Sequence, residues 1–126
     1  MKDKLKYYRC PLCGNIIEVV EGDYKRVKCC GEVLTELVAN DVDASLEKHV
    51  PVYEIDGNEI IVKVGEVIHP MEEKHYIMWV SLVSDDRVIR VGLNPGYEPI
   101  VRLPYIKGSI IYEYCNLHGL WKNIVE

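Results

Sequence analysis

The segment Val52-Tyr53-Glu54-Ile55-Asp56-Gly57-Asn58-Glu59-Ile60-Ile61-Val62-Lys63-Val64 decides the fold class of this chain. It contains two runs rich in β-branched and aromatic residues, 52–55 and 59–64, on either side of the pair Asp56-Gly57. Residues of this type favour strands, and an Asp-Gly pair between two such runs is a turn signal. We therefore predict two β-strands joined by a turn.

The same pattern continues toward the C-terminus. Further strand-like runs lie at 75–83, 87–93, 99–103 and 108–114, with turn signals at Asp85-Asp86 and Asn94-Pro95-Gly96. Turns recur about every 8–12 residues, as in all-β sandwiches and barrels, and no helix-length window shows a convincing 3.6-residue period. The pattern predicts an all-β sandwich or barrel.

The N-terminal part of the chain is organised differently. Residues 1–37 hold four of the five cysteines and only short strand-like runs. A domain below about 40 residues usually needs a staple such as a metal. The stretch 38–48 is polar and lacks Gly and Pro. We predict a metal-stapled domain at 1–37, a linker at 38–48 and a β-domain at 49–126.

Composition and charge exclude several classes of protein. Apolar residues make up 48% of the 126 residues and charged residues 28%, which is typical of globular domains and argues against disorder. Residues 41–126 carry eight Lys/Arg against fourteen Asp/Glu, a net charge of −6. Nucleic-acid binding depends on neutralising phosphates, so we expect no nucleic-acid partner.

The sequence lacks the apolar runs of exported or membrane-spanning proteins. Residues 1–6 are charged, no run of signal-peptide length follows them, and nowhere do 18 apolar residues occur together. We expect a cytoplasmic protein without a membrane span. In that setting, cysteines bind metal more often than they form disulfides.

Cys10-Pro11-Leu12-Cys13-Gly14 has the spacing of a chelating turn, since two intervening residues let both sulfurs face one ion. The adjacent pair Cys29-Cys30 would complete a four-thiolate site. Neighbours on a regular strand point to opposite faces, so this pair requires an irregular loop, which Gly31 permits. Spacing alone does not distinguish iron from zinc.

A second group of candidate ligands combines histidine with cysteine. Cys115-Asn116-Leu117-His118 repeats the spacing of the first turn with an imidazole in place of the second thiolate, and the loop from His69 to His75 carries an imidazole at each end. If His49 joins them, the set has four imidazoles and one thiolate. Such a set suits Fe²⁺, leaves one of six positions open, and matches tetrahedral structural zinc poorly.

These segments together closely resemble the desulfoferrodoxin family, the two-iron form of superoxide reductase. The residues that carry the resemblance are Glu47-Lys48-His49-Val50-Pro51, His69-Pro70-Met71 with His75, Cys115-Asn116-Leu117-His118-Gly119-Leu120-Trp121, Cys10-x-x-Cys13 and Cys29-Cys30. The similarity covers nearly the whole chain, and every cysteine and histidine has a counterpart in the family pattern.

The resemblance implies two iron ions per chain. The first is bound by Cys10, Cys13, Cys29 and Cys30 in a desulforedoxin-like domain. The second, catalytic iron is bound by His49, His69, His75 and His118 in one plane with Cys115 axial, in an immunoglobulin-like β-sandwich. Glu47 and Lys48 correspond to a pair of residues beside the open coordination position.

The resemblance also implies a reaction and partners. The family reduces superoxide to hydrogen peroxide without producing dioxygen, with electrons expected from rubredoxin or a similar small redox protein. A homodimer is expected because a segment of about 37 residues has little core of its own. Two other hypotheses remain at this point, namely a non-catalytic two-metal electron carrier and a zinc-stabilised β-sandwich binding module.

Overall fold

The computed structural model describes residues 7–41, 49–65 and 69–126, and the chain divides into two compact units, Met1–Val38 and Ala39–Glu126. Within the described ranges the regular structure is β-strand, apart from one 3-10 turn at Tyr24–Arg26. The predicted all-β class is therefore confirmed. No helix in these ranges is long and apolar enough to cross a membrane.

The described residues of the smaller unit form five short strands. They are β1 (Tyr7–Arg9), β2 (Ile16–Glu18), β3 (Lys28–Cys29), β4 (Glu32–Val33) and β5 (Thr35–Glu36). Strands β2, β1 and β5 form one antiparallel sheet in that order, and β3 pairs with β4 in a separate hairpin.

The core that the described residues of the smaller unit form is small. Tyr8, Cys10 and Leu34 are buried together, and the ring of Tyr24 stacks on that of Tyr8 with centroids 4.3 Å apart. Burying a large apolar side chain contributes about 1.5–3 kcal/mol, whereas ordering each residue's backbone costs about 1–2 kcal/mol. A metal ion held by the cysteines would therefore contribute an important share of the stability of this unit.

Seven longer strands lie in the part of the larger unit that the structure describes. They are β6 (Pro51–Asp56), β7 (Glu59–Val64), β8 (Ile77–Val83), β9 (Val88–Gly92), β10 (Ile100–Pro104), β11 (Ile110–Cys115) and β12 (Gly119–Ile124). One sheet has the order β10-β7-β6 and the other has the order β12-β11-β8-β9. All the pairs in both sheets are antiparallel.

A single apolar core lies between these two sheets. Four strands contribute residues at alternate positions to this core, namely Ile60, Val62 and Val64 of β7, Val101 and Leu103 of β10, Val80 and Leu82 of β8, and Ile111 and Cys115 of β11. This period of two is what the pleat of a strand imposes. The arrangement is a β-sandwich of three plus four strands, the architecture of the immunoglobulin-like fold.

The strand-like runs of the sequence match the observed strands closely, with one exception. The run 59–64 coincides with β7, and Gly57 adopts a φ of +66° in the two-residue connection from β6, as a type II′ turn requires. Strand β12 was not predicted from the sequence. Its residues Gly-Leu-Trp-Lys-Asn-Ile do not alternate regularly, and the strand is defined by its pairing with β11.

Residues 39–41 of the predicted linker belong to the larger unit, whereas Val38 is the last residue of the smaller one. Asn40 forms a parallel bridge with Trp121, in which its N–H donates to the carbonyl of Leu120 and its own carbonyl accepts from the N–H of Lys122. The linker residues 42–48 lie outside the described residues.

Candidate metal centres

The first candidate centre gathers the four cysteines of the smaller unit. The sulfurs of Cys10, Cys13, Cys29 and Cys30 all lie within 4.8 Å of one another. The sulfurs of Cys13 and Cys29 are 3.5 Å apart. Around a tetrahedral ion with metal–sulfur bonds of about 2.3 Å, two sulfurs lie about 3.8 Å apart. The spacing therefore fits one ion bound by four thiolates.

The turn at Cys10 is built by local hydrogen bonds. The N–H of Cys10 donates to the carbonyl of Asn15 at 2.8 Å, and the N–H of Gly14 donates to the carbonyl of Cys10 at 3.1 Å. Gly14 has a φ of +80°, and a Cβ at this position would lie 3.1 Å from the guanidinium of Arg9. Glycine therefore closes the turn where another residue would be strained and crowded.

The adjacent cysteines occupy two different backbone environments. Cys29 ends β3, whereas Cys30 and Gly31 form the two-residue connection to β4, with φ values of 55° and 77°. Positive φ at both central residues is the signature of a type I′ turn. Left-handed backbone costs a residue other than glycine about 1–3 kcal/mol. The turn brings the sulfur of Cys30 to the same site as that of Cys29, which no regular strand could do.

Crowding of the thiols changes their acidity in the metal-free protein. The backbone N–H of Cys13 points at the sulfur of Cys10 and lowers the pKa of Cys10 to about 6. Hydrogen bonds to Cys10 and then Cys13 raise the pKa of Cys29 to about 12, and a hydrogen bond to Cys13 raises the pKa of Cys30. Metal binding must therefore displace protons from this group.

The second candidate centre gathers all four histidines and the fifth cysteine at one end of the β-sandwich. Ligand atoms of His49, His69, His75, Cys115 and His118 lie within 4.8 Å of one another. His49 precedes β6, His69 and His75 lie in the connection from β7 to β8, and Cys115 and His118 lie at the turn from β11 to β12.

The four imidazoles form a closed ring. Neighbouring rings meet edge to face in the order His49, His69, His75, His118 and back to His49, with centroids 4.7–5.0 Å apart and interplanar angles of 68–82°. In this order His49 lies opposite His75, and His69 lies opposite His118. Four nitrogens can therefore meet around one point.

The spacing of the nitrogens indicates a square arrangement. Nε2 of His49 lies 3.0 Å from Nε2 of His69 and 3.1 Å from Nδ1 of His118. With metal–nitrogen bonds of about 2.1 Å, neighbouring ligands are about 3.0 Å apart at right angles and about 3.4 Å apart in a tetrahedron. The observed values match the right-angled set.

The sulfur of Cys115 lies near the axis of this square. It is 3.6 Å from Nε2 of His69 and 3.7 Å from Nδ1 of His118, which are opposite members of the ring. Cys115 itself is fully buried. A square of imidazoles with a thiolate on one side leaves the sixth position of an octahedron on the other side, a set that fits Fe²⁺ and not tetrahedral zinc.

A β-bulge helps to place Cys115. The pairing of β11 with β8 runs regularly as far as Tyr114 opposite Trp79, and then skips Met78 so that Cys115 faces Ile77. Bulges next to active sites commonly redirect a side chain. Here the bulge lies at the end of β11 that carries the ligand.

Several groups around the second centre hold its ligands in place. Nδ1 of His69 lies 2.7 Å from the carbonyl oxygen of Pro70. A carbonyl only accepts hydrogen bonds, so Nδ1 carries the proton and Nε2 keeps a lone pair for the metal. The indole ring of Trp121 stacks on His49, and its Nε1–H donates to the carbonyl of His118 at 3.1 Å.

The structure brings together the nine ligands predicted from the sequence, in two groups of four and five. The predicted pair Glu47 and Lys48 lies outside the described residues. Sequence reasoning gave no role to Asn116 or Trp121, although both lie within the quoted segment 115–121. Their only signal was proximity to a ligand turn.

A β-sandwich with an imidazole and thiolate centre at one end, in a chain that also carries a four-thiolate centre, defines a two-centre non-haem iron protein. Residues 41–124 match the family model Desulfoferrodoxin, and residues 2–37 match Desulfoferrodoxin, N-terminal domain. The chain belongs to the desulfoferrodoxin family. Its two ligand groups match the two iron centres of that family, so the expected cofactors are confirmed.

Similar proteins cover the chain almost completely. A desulfoferrodoxin from Syntrophotalea carbinolica is 50% identical over 98% of each chain. The solved structure of the superoxide reductase from Treponema pallidum has a TM-score of 0.76 and 32% identity, and the match covers 94% of this chain and 97% of that one. A superoxide reductase (1Fe-SOR) from Giardia intestinalis has a TM-score of 0.56 and 34% identity over 64% of this chain and 98% of its own.

Proposed function

We propose that this protein is a superoxide reductase, which converts superoxide to hydrogen peroxide at the second centre and so protects the cell from oxidative stress. The observation that supports the proposal best is the square of four imidazoles with Cys115 on one side, because this geometry leaves one ligand position for a small substrate. The relatives named superoxide reductase support the same reaction.

The reaction consumes one superoxide, one electron and two protons and yields one hydrogen peroxide. The oxygen–oxygen bond is kept and two oxygen–hydrogen bonds form. Iron bound at this centre supplies the electron and the open coordination position. Because the electron comes from the protein, no second superoxide is oxidised and no dioxygen is produced.

Cys115 and its surroundings would set the redox properties of the second centre. Cys115 would hold the iron from one side of the imidazole square, and its thiolate would donate electron density that adjusts the redox potential of the bound metal. The core excludes water from the sulfur, since Cys115 is fully buried and lies opposite the fully buried Ile77 of β8. His118 is the exposed ligand, so the centre lies near the surface where substrate arrives.

Lys48 and Glu47 are proposed to act beside the open position. Lys48 precedes the ligand His49 directly, and its charge would attract superoxide and hold a water for proton delivery. The ferrous centre with one thiolate has a charge of +1, and screening over about 8 Å at physiological salt makes such local charges outweigh distant carboxylates. Glu47 would occupy the open position after turnover, because a carboxylate suits ferric iron.

The domain limits, the electron donor, the cellular location and the oligomeric state are also proposals. Residues 1–37 would form the four-cysteine iron domain, 38–48 the linker and 49–126 the catalytic domain. A rubredoxin or similar small redox protein would supply electrons, and the protein would act in the cytoplasm as a homodimer. The small core of the N-terminal unit supports the dimer, since a partner subunit could cover more of it.

The decisive experiment mixes the reduced, iron-loaded protein with pulse-generated superoxide and follows visible absorption, peroxide and dioxygen. We expect one peroxide for each superoxide consumed and no dioxygen, with oxidation of the second centre. Dismutation would instead give one peroxide and one dioxygen for every two superoxides. An electron carrier with closed coordination would leave superoxide to its uncatalysed decay, and either result would overturn the proposal.

A further inference from the structure

We propose that Asn116 is a positioning residue that fixes His75 relative to the Cys115–His118 turn. This inference rests on the assignment of the five-residue group as a metal centre. It concerns a residue that binds no metal itself, and its effect is expected on metal affinity and on the spectrum of the second centre.

Three hydrogen bonds join Asn116 to the two residues that flank His75. The backbone N–H of Asn116 donates to the carbonyl of Tyr76 at 3.2 Å, and its side-chain Oδ1 accepts from the N–H of Tyr76 at 3.0 Å. Its Nδ2 donates to the carbonyl of Lys74 at 3.0 Å. The side chain and backbone of one residue therefore hold both peptide units around a ligand.

The segment that carries His75 needs such an anchor. Glu72, Glu73 and Lys74 are exposed. The two backbone hydrogen bonds between Glu72 and His75 lie within the loop and do not connect it to the sandwich. His75 is partly buried, whereas His49 and His69 are almost completely buried in the sandwich. Packing fixes those two rings more firmly than it fixes His75.

Asn116 is well placed to connect the two sides of the centre. It follows Cys115 directly and lies two residues before His118. His75 and His118 are neighbours in the imidazole ring, with centroids 5.0 Å apart. A shift of the loop away from Asn116 would move His75 relative to both of its neighbours in the ring, His69 and His118. The two contacts that His49 makes with His69 and His118 would stay in place.

The test compares Asn116→Ala with a matched control, Asn123→Ala. Asn123 also uses both ends of its amide, with Nδ2 donating to the carbonyl of Pro51 at 2.9 Å and Oδ1 accepting from the N–H of Ile124 at 2.9 Å. Both substitutions remove two side-chain hydrogen bonds from the same β11–β12 hairpin. They should therefore destabilise the fold similarly, as measured by urea unfolding of the metal-free proteins.

Ferrous iron is the probe, and a ferrous chelator competes for it under anaerobic conditions. After oxidation, the two centres are counted separately from their distinct thiolate-to-iron absorption bands. Removing a group that orients a metal ligand typically weakens metal binding about 10–100-fold. We expect that loss at the second centre of Asn116→Ala alone, with its absorption band shifted, while the four-cysteine centre stays as in the wild type.

A double-mutant cycle with His75→Ala tests whether Asn116 acts through His75. If it does, Asn116→Ala should change iron affinity by less than about twofold in the His75→Ala background, because neighbouring residues of one unit are not additive. Additive losses, or equal losses in Asn116→Ala and Asn123→Ala, would overturn the inference. If His75→Ala itself binds iron as tightly as the wild type, the ligand assignment fails instead.

Discussion

Trp121 lies flat against His49, with ring centroids 4.8 Å apart and an interplanar angle of 17°. The same indole donates its Nε1–H to the carbonyl of His118 at 3.1 Å, and its backbone bridges to Asn40. One side chain thus contacts two neighbouring ligands of the imidazole ring. Trp121 is also largely buried, so it combines packing with orientation of the centre.

Two substitutions of Trp121 separate these contributions. Trp121→Phe keeps an aromatic ring against His49 and loses the hydrogen bond to His118, so we expect a loss of about 0.5–1.5 kcal/mol in the free energy of unfolding. Trp121→Ala also loses the stacking and packing, for which about 3–5 kcal/mol is typical. Urea unfolding gives both values. Equal losses in the two variants would contradict a packing role for the ring.

Cys115→Ser should abolish peroxide formation and the thiolate absorption of the second centre. A hydroxyl is a poor replacement for a soft thiolate donor, and burying it costs about 1–3 kcal/mol, so the fold should survive. The four-cysteine centre reports on folding through its own absorption.

Cys13→Ser is the reciprocal control, since it should alter the first centre and leave a single turnover of the pre-reduced second centre unchanged.

Lys48→Ile should slow the association of superoxide without changing iron content. A unit charge about 6 Å from the anion contributes about 0.7 kcal/mol at a dielectric constant of 80 and about 2.8 kcal/mol at 20, which corresponds to a rate factor of roughly 3–100. Stopped-flow or pulse measurements at several salt concentrations give the rate constant. The wild-type value should fall with ionic strength, and the variant should show a flatter dependence.

Lys107→Ile is the matched control for that prediction. Lys107 is exposed in the connection between β10 and β11, at the end of β11 remote from Cys115. The Lys107→Ile substitution removes the same charge far from the open position. The rate constant for superoxide association and its salt dependence should therefore match those of the wild type. Identical curves for all three proteins would mean that Lys48 does not steer superoxide.

Metal binding by the four-cysteine centre should strengthen steeply with pH. Cys29, with a pKa raised to about 12, and Cys30, whose pKa is also raised, are protonated in the metal-free protein at pH 7–8. Binding must release at least these two protons, so the apparent affinity should rise about 100-fold per pH unit or more. Cys10, with its pKa lowered to about 6, is already ionised in this pH range. It contributes a further released proton only below about pH 6.

Competition with a zinc chelator between pH 5 and 8 measures this slope on the metal-free protein. Proton release into a weakly buffered solution on addition of Zn²⁺ provides an independent count. An affinity that does not change with pH would show that the thiols are ionised before the metal arrives.

The sequence was most informative where structure is local. The run 59–64 has the β-branched composition of a buried strand and coincides with β7. The pairs Cys10/Cys13 and Cys115/His118 are each separated by two residues, so a single turn brings their ligand atoms together whatever surrounds it. The resemblance to the desulfoferrodoxin family extended this local reading to all nine ligands.

Features that depend on pairing between distant segments were harder to predict from the sequence. The sequence of β12 has only a weak strand pattern. The strand forms because all six of its residues pair with residues of β11. The position of Cys30 depends on a type I′ turn that a regular strand would forbid. The side-chain hydrogen bonds of Asn116 join residues 40 and 42 positions apart in the sequence, and the stacking of Trp121 on His49 joins residues 72 positions apart.

The sequence by itself therefore determined the fold class, the ligand types and the two chelating turns, because each follows from the conformational preferences of a few consecutive residues. The tertiary structure decided the cyclic order of the four imidazoles and the groups that hold the ligands, and it places the sulfur of Cys115 near the axis that the family resemblance implied. The physical reason is that these contacts form only when two sheets pack face to face and a bulge fixes the register at Cys115.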